Sequence, residues 1–254
     1  SIAISASIKK EGILSLSNLV GASIANITLL LGLGTIINTI KSKGTIFKRD
    51  SIILIFITIL IFIFSLDKNI SKIEGIVLLI FFIYYLIDLA KYNYFYQKIY
   101  YHKKRYQYGK INLPLQLLAT LFGMLLLYLG AKYIIPSTIN ISNYFKIPEE
   151  IIALSIISLG TTLPELTVTI IAARKRLINL FLGNLIGSNI TNLLLIVGLA
   201  SVINQISITK IILIYLPYLL FVTLFFTLFL RKTWKNRIVQ GFIPILFYII
   251  FIII

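Results

Sequence analysis

With 254 residues, 59% of them hydrophobic and only 13% charged, the chain has a mean hydropathy of +0.98. That balance excludes an ordinary soluble domain and fits an all-α polytopic membrane protein. The formal net charge of +16 does not point to nucleic acid, because Lys and Arg gather between the apolar runs, as they do in cytoplasmic loops.

Residues 1–8 read as a helix stub. Apolar runs follow at 13–40, 51–66, 73–89, 113–135, 150–173, 180–203, 208–230 and 238–254. A hydrocarbon core of about 30 Å asks for roughly 17–25 apolar residues, so these predict eight spans plus the stub. The run at 51–66 is short, and a short span can thin the bilayer locally. Pro136 reads as a clean stop for the 113–135 span. Pro217 and Pro244 lie inside spans with no acidic or amide group beside them, and read as packing kinks. The loop 91–112 interleaves tyrosines with basic residues, an interfacial aromatic belt beside cytoplasmic lysines or an anionic-lipid contact. It contains His102, which has no metal-ligating partners nearby. The natural division is into two halves, 1–110 and 111–254.

Residues 1–38 align without a gap on residues 167–204, with 15 of 38 positions identical. Asn18 falls on Asn184, Gly21 on Gly187, Asn26 on Asn192 and Gly32 on Gly198. This is an internal repeat, and repeats dictate architecture. The first copy begins just past the place where its own acidic motif would end. The chain therefore reads as an N-terminal truncation, with about one and a half spans upstream of Ser1 and no exchange expected from the 254-residue piece alone. Alternate loops hold seventeen and six Lys plus Arg, which puts the Arg174–Arg176 turn in the cytoplasm. The two copies lie five spans apart, an odd number, so they enter the membrane from opposite sides. An inverted-topology repeat of this kind places a substrate site near the midplane between its copies.

The chemistry concentrates between Ser158 and Asn192. Glu165 sits well inside an apolar run, where an acid costs at least about 2.5–3.5 kcal/mol and marks an ion path by default. Pro164 beside it has no N–H, so the Gly160 carbonyl loses its helical partner and a broken helix is expected. Thr161, Thr162 and Glu165 share a helix face. Together they form an all-oxygen set suited to a hard cation such as Ca²⁺ or Na⁺. The next span supplies a second wall, with Asn184, Ser188 and Asn192 on one face. Gly183 and Gly187 form a small-xxx-small pair that predicts close helix packing.

Gly160-Thr-Thr-Leu-Pro-Glu165 followed by Gly183-Asn-Leu-Ile-Gly-Ser-Asn-Ile-Thr-Asn192 resembles an α-repeat of the calcium/cation antiporter superfamily, on its sodium/calcium exchanger branch. The resemblance implies a secondary active antiporter exchanging Ca²⁺ for Na⁺ across a cell membrane. Thr161, Thr162, Glu165, Ser188, Asn192 and Asn26 would be ion-binding residues, Ser188 at a Na⁺ site and the two asparagines as central ligands or gates. Ala22 departs from the family pattern, which prefers Ser there, and so removes a candidate Na⁺ oxygen. A buried carboxyl can itself carry a proton, which makes a Ca²⁺/H⁺ exchanger the runner-up. A cation channel or non-transporting subunit is the alternative of another class; two related halves in one chain favour the transporter. Without cysteine, a His/Cys cluster or a phosphate loop, neither enzyme chemistry nor a resident cofactor is expected.

Overall fold

A computed structural model describes residues 12–38, 45–100, 113–231 and 236–254, and nearly all of them are helical. The bilayer dictates this outcome. Hydrocarbon offers no hydrogen-bond partner, so each apolar segment must satisfy its own backbone.

In chain order the helices are α1 (Gly12–Ala25), α2 (Leu31–Ile37), α3 (Thr45–Phe64), α4 (Lys72–Tyr100), α5 (Leu113–Phe145), α6 (Glu149–Ile152), α7 (Ser158–Arg174), α8 (Ile178–Ile190), α9 (Val197–Ile203), α10 (Lys210–Arg231) and α11 (Arg237–Ile253). Three π-helical segments join pairs of them: π1 (Asn26–Leu30) between α1 and α2, π2 (Ala153–Ile157) between α6 and α7, and π3 (Thr191–Ile196) between α8 and α9. Five stretches of the described residues have the length and apolarity to cross a membrane: Gly12–Ile37, Lys72–Lys91, Glu149–Arg174, Ile178–Ile203 and Lys210–Leu230. Helix α3 opens with Lys48, Arg49 and Asp50, and α11 is shorter than these spans.

Three expectations are corrected. Pro136 does not end a helix; α5 runs through it from Leu113 to Phe145. The missing Pro136 N–H frees only the Lys132 carbonyl, and membrane helices tolerate one such gap. The stop comes at Lys146, whose φ of 55° is left-handed, with the Ile147 N–H reaching back to the Ser142 carbonyl at 3.1 Å. Pro164 likewise leaves α7 unbroken, and the departure from α-geometry falls earlier, at π2. The loop expected from residue 91 is helical as far as Tyr100. The stub at 1–8 and His102 lie outside the described residues.

Burial identifies the centre. The Gly12–Ile37 span is 78% buried inside the protein, against 17% for Lys72–Lys91. Side chains such as Ile80, Leu118 and Leu228 are more than half exposed, as lipid-facing residues are. Packing around the centre occurs in pairs. Helix α2 crosses α11 where Gly32 meets the Gly241 backbone and Ile245; α9 crosses α4 where Gly198 meets the Gly75 backbone and Leu79. Gly198, Gly241 and Ile245 each stand 166 residues after Gly32, Gly75 and Leu79. Helices α3 and α10 take corresponding places, α3 against α8 and α10 against α1. The duplication seen in residues 1–38 thus extends through two further helices, whose sequences have diverged. Strands β1 (Asn69–Ile70) and β2 (Ile206–Ser207) pair antiparallel and pin the loop after α3 to the loop after α9.

Candidate functional site

Helices α1, α7 and α8 enclose a cavity of about 480 Å³. Asn18, Leu19 and Ala22 line it from α1, and Thr161, Thr162 and Glu165 from α7. Gly183, Asn184 and Ser188 line it from α8, and Thr191, Asn192 and Ile196 from π3. Helical spacing explains the α8 wall, since positions 184, 188 and 192 recur on one side of a helix. Thr191 joins them because it stands seven residues after Asn184 and three after Ser188, the same helical spacing.

The hydrogen bonds leave oxygen lone pairs to the cavity. Thr162 donates its hydroxyl proton to the Leu159 carbonyl at 2.9 Å. The Thr161 hydroxyl lies 3.0 Å from the Ser158 carbonyl and 3.1 Å from Asn18 Oδ1, so its single proton serves one or the other. Asn184 spends its amide N–H groups on the Glu165 carbonyl at 3.0 Å and Thr169 Oγ1 at 3.2 Å. Its oxygen makes no hydrogen bond among the described residues. Glu165 Oε2 is buried with no hydrogen-bond partner among the described residues. Among the described residues no Lys or Arg lines the cavity, and Glu165 is the one formal charge on its wall. The wall is therefore hydroxyls, amide oxygens and a carboxylate, a donor set for a hard cation. No group of three or more His, Cys, Asp or Glu occurs among the described residues. An ion here would be cargo held by neutral oxygens around one acid.

Five of the six residues singled out in the sequence meet here: Thr161, Thr162, Glu165, Ser188 and Asn192. Asn26 does not. It is buried behind the cavity, donating its amide to Asn189 Oδ1 at 3.2 Å. Asn18, Asn184 and Thr191 are the additions. The repeat register already linked Asn18 with Asn184, and Thr191 could have been found from its place three residues after Ser188 on the same helix face. The glycines also behave differently from expectation. A Cβ built on Gly183 or Gly187 meets nothing within 4 Å among the described residues, so neither makes there the close helix contact foreseen for it. Gly21 makes it instead, where a Cβ would collide with the Leu154 carbonyl and with Ser158.

A helical membrane bundle with paired crossings around a central, oxygen-lined cavity has the form of an ion carrier. The family model described as sodium/calcium exchanger protein matches residues 1–89 and 115–254, and the chain belongs to that family, one of exchangers rather than enzymes. The sodium/calcium exchanger MaX1 of Methanosarcina acetivorans is 28% identical, over 99% of this chain and 82% of its own length. The putative antiporter CaxA of Alkalimonas amylolytica is 29% identical, over 74% of this chain and 60% of its own length. A solved structure of the sodium-calcium exchanger NCX_Mj, soaked with Na⁺ and Sr²⁺, superposes with a TM-score of 0.72 at 26% identity, covering 99% of this chain and 80% of that one.

Proposed function

We propose that this protein is a secondary active antiporter that exchanges Ca²⁺ for Na⁺ through the cavity between α1, α7 and α8. One observation carries the reading: the unpartnered Glu165 carboxylate oxygen within a wall of hydroxyls and amides. A buried acid without a cationic partner is stable when a cation supplies the missing charge. Thr161, Thr162, Glu165, Ser188 and Asn192 are the proposed ligands. Ca²⁺ and Na⁺ compete for overlapping oxygens, and that competition couples their movement. Its architecture is proposed as an inverted-topology repeat, 1–110 against 111–254, in the cell membrane.

A second reading, Ca²⁺/H⁺ exchange, is favoured by one feature. Ala22 presents a methyl to the cavity where its repeat partner Ser188 presents a hydroxyl. The test uses the intact protein in liposomes. Ca²⁺ uptake is followed under an outward Na⁺ gradient and then an outward H⁺ gradient. Sodium-driven uptake supports the first reading, uptake with protons alone the second, and uptake with neither sinks both. Glu165→Gln keeps the side chain's shape and removes its charge. It is expected to lower uptake at least about tenfold, the factor that 1.4 kcal/mol of lost ion binding produces. Undiminished uptake would dismiss Glu165 as a ligand.

A further inference from the structure

The paired packing of the two copies is also broken among the polar side chains at their centre. Ser23 and Asn26 stand 166 residues before Asn189 and Asn192. The Asn26–Asn189 contact therefore has a counterpart across the repeat, Ser23–Asn192. Only the first is made. Asn26 donates its amide to Asn189 Oδ1 at 3.2 Å, and both side chains are buried. Ser23 is also fully buried, but its hydroxyl has no hydrogen-bond partner among the described residues, and Asn192 faces the cavity instead. Both asparagines of the equivalent pair occupy π-helical turns: Asn26 opens π1, and Asn192 lies in π3. A π-turn carries an extra residue, so its backbone bonds can shift partner and rotate a side chain without unwinding the helix.

We infer that the two contacts alternate during exchange, an inference that rests on the antiporter reading. In the state described here Asn189 holds Asn26, and Asn192 offers its amide oxygen to the cavity. In the opposite-facing state Asn192 bonds Ser23, and Asn26 is released to offer its own oxygen to an ion arriving from the other side. Each central amide is thus an ion ligand in one state and part of a lock in the other. The bonding supports this balance. Among the described residues Asn26 Oδ1, Asn189 Nδ2 and the Ser23 hydroxyl are all buried without hydrogen-bond partners, so neither lock is fully satisfied and neither traps the protein. Asn189 and Ser23 act here as positioning residues, reaching the ion only through Asn26 and Asn192.

Residues 1–254 contain no cysteine, so an introduced thiol is unique among them. Gly183 lines the cavity with open space for a side chain, and Ser17, 166 residues earlier, is fully buried. Gly183→Cys and Ser17→Cys report the two states. The intact protein, free of other thiols, is reconstituted into liposomes and exposed to a membrane-impermeant thiol reagent from either side. Asn189→Ser weakens the lock now closed. It is expected to speed Ser17→Cys labelling about fivefold from the opposite side while Gly183→Cys labelling falls, the shift that one lost hydrogen bond makes in a two-state equilibrium. Ser23→Asn, which lengthens the partner offered to Asn192, is expected to act in the same direction. Reporters that stay unchanged, or that move together as they would after a structural loss, overturn the inference. Sodium-driven Ca²⁺ uptake is measured on the same vesicles. Uptake with unmoved reporters overturns the alternation alone; moved reporters without uptake overturn the antiporter reading and leave the alternation standing.

Discussion

Replacing Gly21 by alanine puts a methyl where α1 already touches its neighbour. The new Cβ would collide with the carbonyl of Leu154 and the Cβ of Ser158, neither of which can swing aside. Helix α1 must then separate from π2 and α7. Overpacking of this kind costs about 1–3 kcal/mol. The Thr161–Asn18 bond of 3.1 Å spans the same interface, and its loss adds about 1 kcal/mol. The expected total, about 2–4 kcal/mol, corresponds to a fall in Tm of roughly 5–15 °C for a chain of this size. Gly187 is the control, because it holds the same place in the second copy. In the 254-residue chain its Cβ position is open among the described residues, and alanine in a helix interior gains up to about 1 kcal/mol over glycine. Gly187→Ala is therefore expected to melt at or slightly above the parent temperature. Circular dichroism melts of both variants in one detergent decide the matter. Equal losses at the two positions, or none at Gly21, would refute the reasoning from packing.

Other perturbations test the remaining interactions. Arg49 pairs with Asp50 at 2.8 Å and with Asp88 at 3.2 Å, and the Asp50 side chain is only 7% exposed. Arg49→Met leaves that buried acid uncompensated and is expected to cost about 3–5 kcal/mol, far more than Asp88→Asn at the half-exposed end of the network, as read by thermal melts. Gly32→Ala is expected to lose about 1–3 kcal/mol, because its Cβ would fall 2.6 Å from the Gly241 carbonyl oxygen, and Gly198→Ala less, because its Cβ would meet Leu79 at 3.0 Å and the Gly75 carbonyl at 3.1 Å. Thr161→Val removes both the bond to Asn18 and a cavity oxygen. Half-saturating Ca²⁺ is expected to rise about five- to tenfold in the liposome assay, with Thr161→Ser restoring it; an unchanged value in Thr161→Val would remove Thr161 from the ligand set.

Much of this protein was legible in residue order alone. Apolar runs define helices because the bilayer leaves a segment no other way to satisfy its backbone. A lone acid beside a proline, followed by Asn184, Ser188 and Asn192 at helical spacing, marks the cavity wall because an α-helix puts every fourth side chain on one side. The gapless offset of 166 was visible over residues 1–38, where small and polar residues are constrained by neighbours. It was invisible across α3 and α10, since a lipid-facing position asks only for an apolar side chain and many satisfy it. Spacing on one helix also says nothing of what that face meets. Only the tertiary structure decided that Gly21 makes the close approach while Gly187 stands clear, that the chain passes through Pro136 and Pro164 as helix, and that Asn26 is held away from the cavity that Asn192 enters. The Gly21 and Asn26 outcomes depend on contacts between segments more than a hundred residues apart, and such contacts leave no period along the chain.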